Sequence, residues 1–143
     1  MTMDAQARPS LAQSVIANGA TVVSTDSIDL LTANRNPGRG GPMRMVSNVV
    51  TSLVGGTSIQ AQLIESAAGN LGSPTVLAEG PVVAVADAVA GAELFDQRVP
   101  DTSKLYLGMQ YVIVGNVTAG AVTSGIVAST PRPSTEIEMN TGL

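Results

Sequence analysis

The chain contains no cysteine, no histidine and no tryptophan. Without cysteine there are no disulfides, thiolate nucleophiles or sulfur metal ligands. Without histidine the usual neutral-pH base and the commonest nitrogen ligand are gone too. Aromatic residues are almost as scarce, with Phe95, Tyr106 and Tyr111 the only three. That is too few for a base-stacking platform or a sugar-stacking site. Phe95 and Tyr111 are expected in the core. Tyr106, five residues from Tyr111 and so on the opposite face of an extended strand, is expected as a contact residue.

Charge is also sparse. Only 13% of the 143 residues are charged, about half the ~25% usual in soluble domains. Hydrophobic residues stand at 44%, so the missing charge is replaced by Ser, Thr, Asn, Gln, Gly and Ala. Such a surface is weakly solvated for a free monomer, and much of it is expected to face other protein copies. The net charge of −4 disfavours a nucleic-acid partner, because phosphate binding needs a positive field over a whole face.

No long hydrophobic run is present. The longest apolar stretch, "PVVAVADAVAGAELF", is interrupted by Asp87, Gly91 and Glu93 and is shorter than the ~20 residues a spanning helix needs. No membrane segment is expected. The start, "MTMDAQARPSLAQSVIANGA", has no basic n-region followed by an apolar stretch, so synthesis in the cytoplasm without export is expected.

What remains has the period of strands. "TSIQAQLIES" places Ile59, Ala61 and Leu63 on one face with Gln60 and Gln62 on the other, a half-buried strand. "LYLGMQYVIVG" alternates Leu105, Leu107, Met109, Tyr111 and Ile113, while Val112 and Val114 make its far end apolar on both sides. "PMRMVSNVVTS" puts Met43, Met45, Ser47 and Val49 on one side, and Gly55-Gly56 joins it to the next strand as a turn. "ATVVSTDSIDL" reads as a strand with an undecided inner face, and "AVTSGIVAS" as the last strand. "TVLAE" and "VVAVA" read as two short strands separated by Gly80-Pro81, and "AVADAVAGAELF" as strand, turn, strand. In "PSLAQSVIANG", Ser10 and Gln13 stand at capping-box spacing and Asn18-Gly19 makes a stop, which predicts one or two helical turns.

The expected fold is therefore all-β: a jelly-roll-like β-sandwich of about eight strands. Residues 1–20 are expected as an N-terminal arm, 21–130 as the sandwich and 131–143 as a C-terminal tail.

Candidate chemistry is thin. The stretch "NRNPGRGGPMRMV" gathers Arg35, Arg39 and Arg44 among glycines and prolines, and could bind phosphate through backbone amides and guanidinium groups. It lacks the Lys-Ser/Thr of a phosphate-binding P-loop and precedes a strand, and the chain is acidic overall. The arginines are therefore expected to meet protein carboxylates. Asp26 and Asp29 could be hard-cation ligands, but an offset of three places them on opposite faces of a strand, and no metal is expected. Glu136 and Glu138 share a face in the tail without a pocket. Serines are plentiful, yet no Gly-x-Ser-x-Gly elbow occurs. Lys104, the only lysine, is adjacent to Ser103 and is read as a surface or interface cation. "NVT" at Asn116 is read as a turn. No enzymatic activity and no cofactor are expected.

Read together, "STDSIDLL", "GRGGP", "AQLIESAAGNLGSPTVLAEG", "VAGAELFDQRVPDTSKLYLGMQYVIVG" and "TAGAVTSGIVAS" resemble the capsid cement, or decoration, proteins of tailed bacteriophages, over about Thr21 to Ser129. The resemblance implies a jelly-roll-like fold and no catalysis. It also implies attachment to the outer capsid surface of the virion, with the major capsid protein and further copies of the chain, in a dimer or another oligomer, as partners. From the residues themselves, Arg35, Arg39, Arg44, Lys104, Tyr106, Val112 and Val114 are the expected capsid or subunit contacts. The alternative reading is a receptor- or glycan-binding β-sandwich module of a tail or fibre, against which the shortage of aromatics counts.

Overall fold

The computed structural model describes residues 8–31 and 43–128. Among the described residues ten strands succeed one another: β1 (Ser10–Ser14), β2 (Ala17–Asn18), β3 (Thr21–Val23), β4 (Ile28–Asp29), β5 (Met43–Gly55), β6 (Ser58–Ser66), β7 (Thr75–Ala84), β8 (Glu93–Arg98), β9 (Tyr106–Val114) and β10 (Asn116–Ala128). They form two antiparallel five-stranded sheets. The first runs β1-β10-β5-β8 with β2 also on β10, and the second runs β3-β9-β6-β7 with β4 also on β9.

Ten segments make eight rails. β1 and β2 lie one after the other along β10, while β3 and β4 do the same along β9. Counted as rails, the first pairs with the eighth, the second with the seventh, the third with the sixth and the fourth with the fifth. That nesting is a long antiparallel hairpin rolled up on itself, which is the jelly roll.

The roll sorts its connections to two ends. At one lie the β2–β3, β5–β6, β7–β8 and β9–β10 turns, tied together by Gly19 N–H donating to the Gly115 carbonyl (2.9 Å), Thr57 N–H to Val114 (2.7 Å) and Val85 N–H to Thr57 (3.0 Å). Gly115, at φ +83°, must be glycine: a Cβ there would lie 2.8 Å from Gly56 Cα and 2.9 Å from Thr57 N. At the other end lie connections 67–74 and 99–105, together with Leu31 and Met43. Arg35 and Arg39 fall between those two residues in sequence, and they lie outside the described residues, as does 131–143.

The core fills the space between the sheets. β6 supplies Ile59, Ala61 and Leu63, and β9 supplies Leu107, Met109, Tyr111 and Ile113. Facing them are Met45, Val49 and Leu53 from β5, Leu94 and Phe95 from β8, and Val117, Val122 and Ile126 from β10. The alternation read from "TSIQAQLIES" and "LYLGMQYVIVG" is the alternation found.

Two expectations are corrected. "PSLAQSVIANG" is not helical; it forms β1 and β2, so the segment expected as an arm contributes strands to the first sheet. Its capping-box spacing has another cause. Ala12 takes φ +45° in a bulge between Ser10 and Gln13, which lets the Ser10 hydroxyl donate to Gln13 Oε1 at 2.8 Å. Long-range pairing with β10 outweighs a weak local helix signal. "TVLAE" and the first three residues of "VVAVA" are likewise one strand, β7, whose register against β6 shifts between Gln60 and Gln62, while Val85–Asp87 turn into a short 3-10 helix. Pro81 is tolerated there because β7 is an edge strand.

Candidate contact surfaces

Three polar constellations stand out, and each ties parts of the roll together. The first crosses the core. Ser10, Ser124 and Ser47 stand side by side across β1, β10 and β5, and all three are fully buried. From the opposite sheet Tyr111 reaches into this row, its hydroxyl 2.9 Å from Ser10 Oγ and 3.0 Å from Ser124 Oγ. Since Ser10 donates onward to Gln13 Oε1, counting protons makes Tyr111 the donor to Ser10 and the acceptor from Ser124. Gln13 extends the chain: its Oε1 accepts from Thr25 N–H and its Nε2 donates to the Val23 carbonyl, both at 2.8 Å. Burial pushes the Tyr111 pKa up, and the serine contacts offset only part of that rise. The phenol is neutral and closed to solvent, a cross-sheet tie.

Glu65 forms the second, near the end that holds connections 67–74 and 99–105. It is 3% exposed. Oε1 accepts from Ser103 Oγ (2.7 Å) and Oε2 from the N–H groups of Ser103 (2.8 Å) and Lys104 (3.2 Å). Burial alone would raise its pKa, but these hydrogen bonds and the Lys104 charge outweigh it and hold the carboxyl below its ordinary value. The carboxylate clamps the 99–105 connection to β6.

The third is on the surface. Arg44 Nε lies 2.6 Å from Asp96 Oδ1, and Nη2 donates to the Asp96 carbonyl at 3.0 Å, joining β5 to β8. Both side chains are about one third exposed. Replacing Arg44 with alanine is therefore expected to lower stability by less than ~1 kcal/mol in a denaturant titration.

The structure places the expected contact residues at both ends. Arg44, Lys104 and Tyr106 lie toward the end of connections 67–74 and 99–105. There Lys104 Nζ donates to Thr75 Oγ1 at 2.7 Å, and the half-buried Tyr106 ring covers Gly69, where a Cβ would be 3.5 Å from it. Leu71 closes the same connection over the outside of the second sheet. It is 2% exposed and occupies the space that a side chain at position 108 would need, which is why Gly108 stands there. Arg8 and Arg98 belong to this end too, Arg98 opposite Arg44. All the described basic residues are thus gathered at one end, where Asp29, Glu65, Asp96 and Asp101 lie as well, so the charge there is mixed. Val112 and Val114 lie at the other, Val112 half-buried and Val114 49% exposed.

Asp26 and Asp29 do not converge. Asp26 lies between strands, while Asp29 Oδ1 accepts from Leu31 N–H at 2.8 Å. Among the described residues no group of three or more acidic side chains is placed to hold a metal ion, and no helix is long and apolar enough to cross a membrane.

The sequence reading missed Glu65 and the three serines. Their signal was in the pattern nonetheless. Residues 59, 61, 63 and 65 share one strand face, so a carboxylate at 65 occupies an inward position, which requires partners. Ser47 likewise sits in phase with Met45 and Val49.

No curated protein matches the chain. The family model named Bbp16 matches residues 10–126, a span that begins with β1, includes all eight rails of the roll and takes in Tyr111 with its three serines, and by that match the chain belongs to the Bbp16 family.

Proposed function

We propose that this protein is a structural capsid cement protein, which binds the outer face of a bacteriophage capsid and bridges neighbouring major capsid protein subunits. The observation that carries the reading is where the polar chemistry points. Tyr111 with its serines, Glu65 with the 99–105 connection, and Arg44 with Asp96 are each engaged in holding one part of the roll to another. What the molecule offers outward is a double sheet with mixed charge, including all the described basic residues, at one end and the exposed Val82 and Val114 at the other, the design of a staple rather than of a pocket. The strand and turn order that resembles cement proteins adds to this.

In this reading arginines beside that end meet carboxylates of the capsid subunits. Arg35 and Arg39 are the better contact residues, because Arg44 already has Asp96. Removing a desolvated arginine from such a contact costs ~2–5 kcal/mol, and an oligomer gripping several sites repeats the loss at each. The double variant Arg35→Ala with Arg39→Ala should fold as wild type and fail to co-pellet with undecorated mature heads at moderate salt. Full decoration by that variant, or DNA retention on filters by the wild type that vanishes with it, would overturn the assignment of the arginines to protein contact.

A further inference from the structure

Asn18 and Gly19 open the turn between β2 and β3, and both are exposed. An asparagine followed by glycine is chemically labile. The backbone nitrogen of the glycine attacks the side-chain amide carbon of the asparagine, and glycine, without a Cβ, offers that nitrogen with the least obstruction. The new bond from Gly19 N to Asn18 Cγ closes a succinimide ring. The bond from Cγ to the amide nitrogen breaks, and ammonia leaves with the proton of the attacking N–H. Water then opens the ring at one of its two carbonyls, leaving aspartate or isoaspartate at position 18. No co-reactant other than water is needed.

In the fold the nucleophile is held away from its target. Gly19 N–H donates to the Gly115 carbonyl at 2.9 Å, so the nitrogen keeps its proton and faces the β9–β10 turn. β2 holds Asn18 extended and opposite Asn116 of β10, whereas ring closure needs the peptide unit after Asn18 turned onto its own side chain. Sterically the step is unguarded. A Cβ at Gly19 would meet nothing within 4 Å, and water reaches both residues.

We propose that Asn18 is a modification site gated by the β2–β3 turn, protected while Gly19 N–H is bonded to Gly115 and deamidated when that bond opens. The gate is local. β2 has only two residues, and its pairing with β10 ends at Asn18 and Asn116, so this turn opens at far less cost than the sandwich unfolds. The product holds the gate open. A carboxylate at position 18 places negative charge near the exposed Val114. Isoaspartate also lengthens the backbone ahead of Gly19 by one methylene, which moves its N–H off the Gly115 carbonyl. Deamidation of the free chain is independent of the cement reading and is measured without any particle.

The test incubates the whole chain in mildly alkaline buffer, folded or in strong denaturant, and follows each asparagine by peptide mapping and mass spectrometry. The denatured chain should convert Asn18 faster than its other asparagines, and folding should slow Asn18 by roughly tenfold or more. Gly115→Ala, which displaces the carbonyl that holds Gly19 N–H, should raise the folded rate toward the denatured one. Glu65→Ala, at the other end of the roll, should leave the folded rate unchanged although it lowers global stability. Hydrogen exchange at Gly19 N–H in the wild type reports the same opening, and its protection should match the ratio of denatured to folded deamidation rates; if Gly115→Ala does not fold, this comparison decides alone. A folded chain that converts Asn18 as fast as the denatured one overturns the proposal, as does strong protection of Gly19 N–H beside rapid deamidation. Equal acceleration by Glu65→Ala and Gly115→Ala overturns it too, since global unfolding would then be the gate.

Discussion

Glu65→Ala is expected to lower stability by about 2–4 kcal/mol, a drop in melting temperature on the order of 10 °C for a domain of this size. Three donors converge on this carboxylate, two from the backbone of the 99–105 connection. Hydrogen bonds to a charged group are worth more than neutral ones, and the alanine variant leaves the N–H groups of Ser103 and Lys104 without an acceptor in the fold. Water reaches the exposed Ser103 and limits the loss. Glu65→Gln should fall between wild type and alanine, because one amide oxygen can replace one carboxylate oxygen while the NH2 group faces donors.

The same carboxylate predicts a pH dependence. Its folded pKa lies below the ordinary value of 4.5, so the unfolded chain binds the proton first as pH falls. The stabilisation is fully present above about pH 4.5 and is lost as pH drops through the lower, folded pKa. Wild type and Glu65→Gln should therefore differ by a constant amount from pH 7 to pH 5 and converge as the pH falls through the folded pKa. A difference that grows on acidification would show that Glu65 is protonated in the fold and that the clamp has been assigned the wrong charge.

The sheets were legible in the sequence because their strands alternate over long stretches. In β6 and β9 every second side chain from Ile59 to Leu63 and from Leu107 to Ile113 is apolar, and a one-residue slip would turn the whole set to solvent. The helix expected near Ser10 failed because its signal was local, two polar residues three apart, while the pairing of β1 with β10 joins residues more than a hundred positions away. The candidate contacts were read as outward residues of suitable type, which alternation does supply for Tyr106, Val112 and Val114. Alternation gives the face but not the end, and only the nesting of the roll separates Val112 and Val114 from Lys104 and Tyr106. Arg44 illustrates a further limit. Its partner Asp96 lies on β8, and nothing in "NRNPGRGGPMRMV" indicates which strand will be laid beside β5.

The buried row of serines makes the sharpest test of how the two sheets are held together. Tyr111→Phe keeps the ring, and hence the packing, and removes only the hydroxyl that joins the sheets. Ser10 retains Gln13 as a partner, but Ser124 is left buried without the tyrosine oxygen, so a loss of about 1–3 kcal/mol is expected. Ser47 stands beside Ser124 in the same row and is just as buried; its Oγ lies close enough to the Tyr111 hydroxyl to help lower the phenol's pKa, yet it makes no hydrogen bond of good geometry among the described residues. A buried hydroxyl without a partner has forfeited its hydration without compensation, and deleting it removes that cost. Ser47→Ala is therefore expected to be neutral or stabilising by up to ~1 kcal/mol, the reverse of the usual effect of trimming a core residue. Urea titrations read this directly: at equal m-values the Tyr111→Phe midpoint should fall and the Ser47→Ala midpoint should hold or rise. If Ser47→Ala lost as much as Tyr111→Phe, the third serine would be a full member of the tie, and Tyr111 would hold the two sheets through three hydroxyls rather than two.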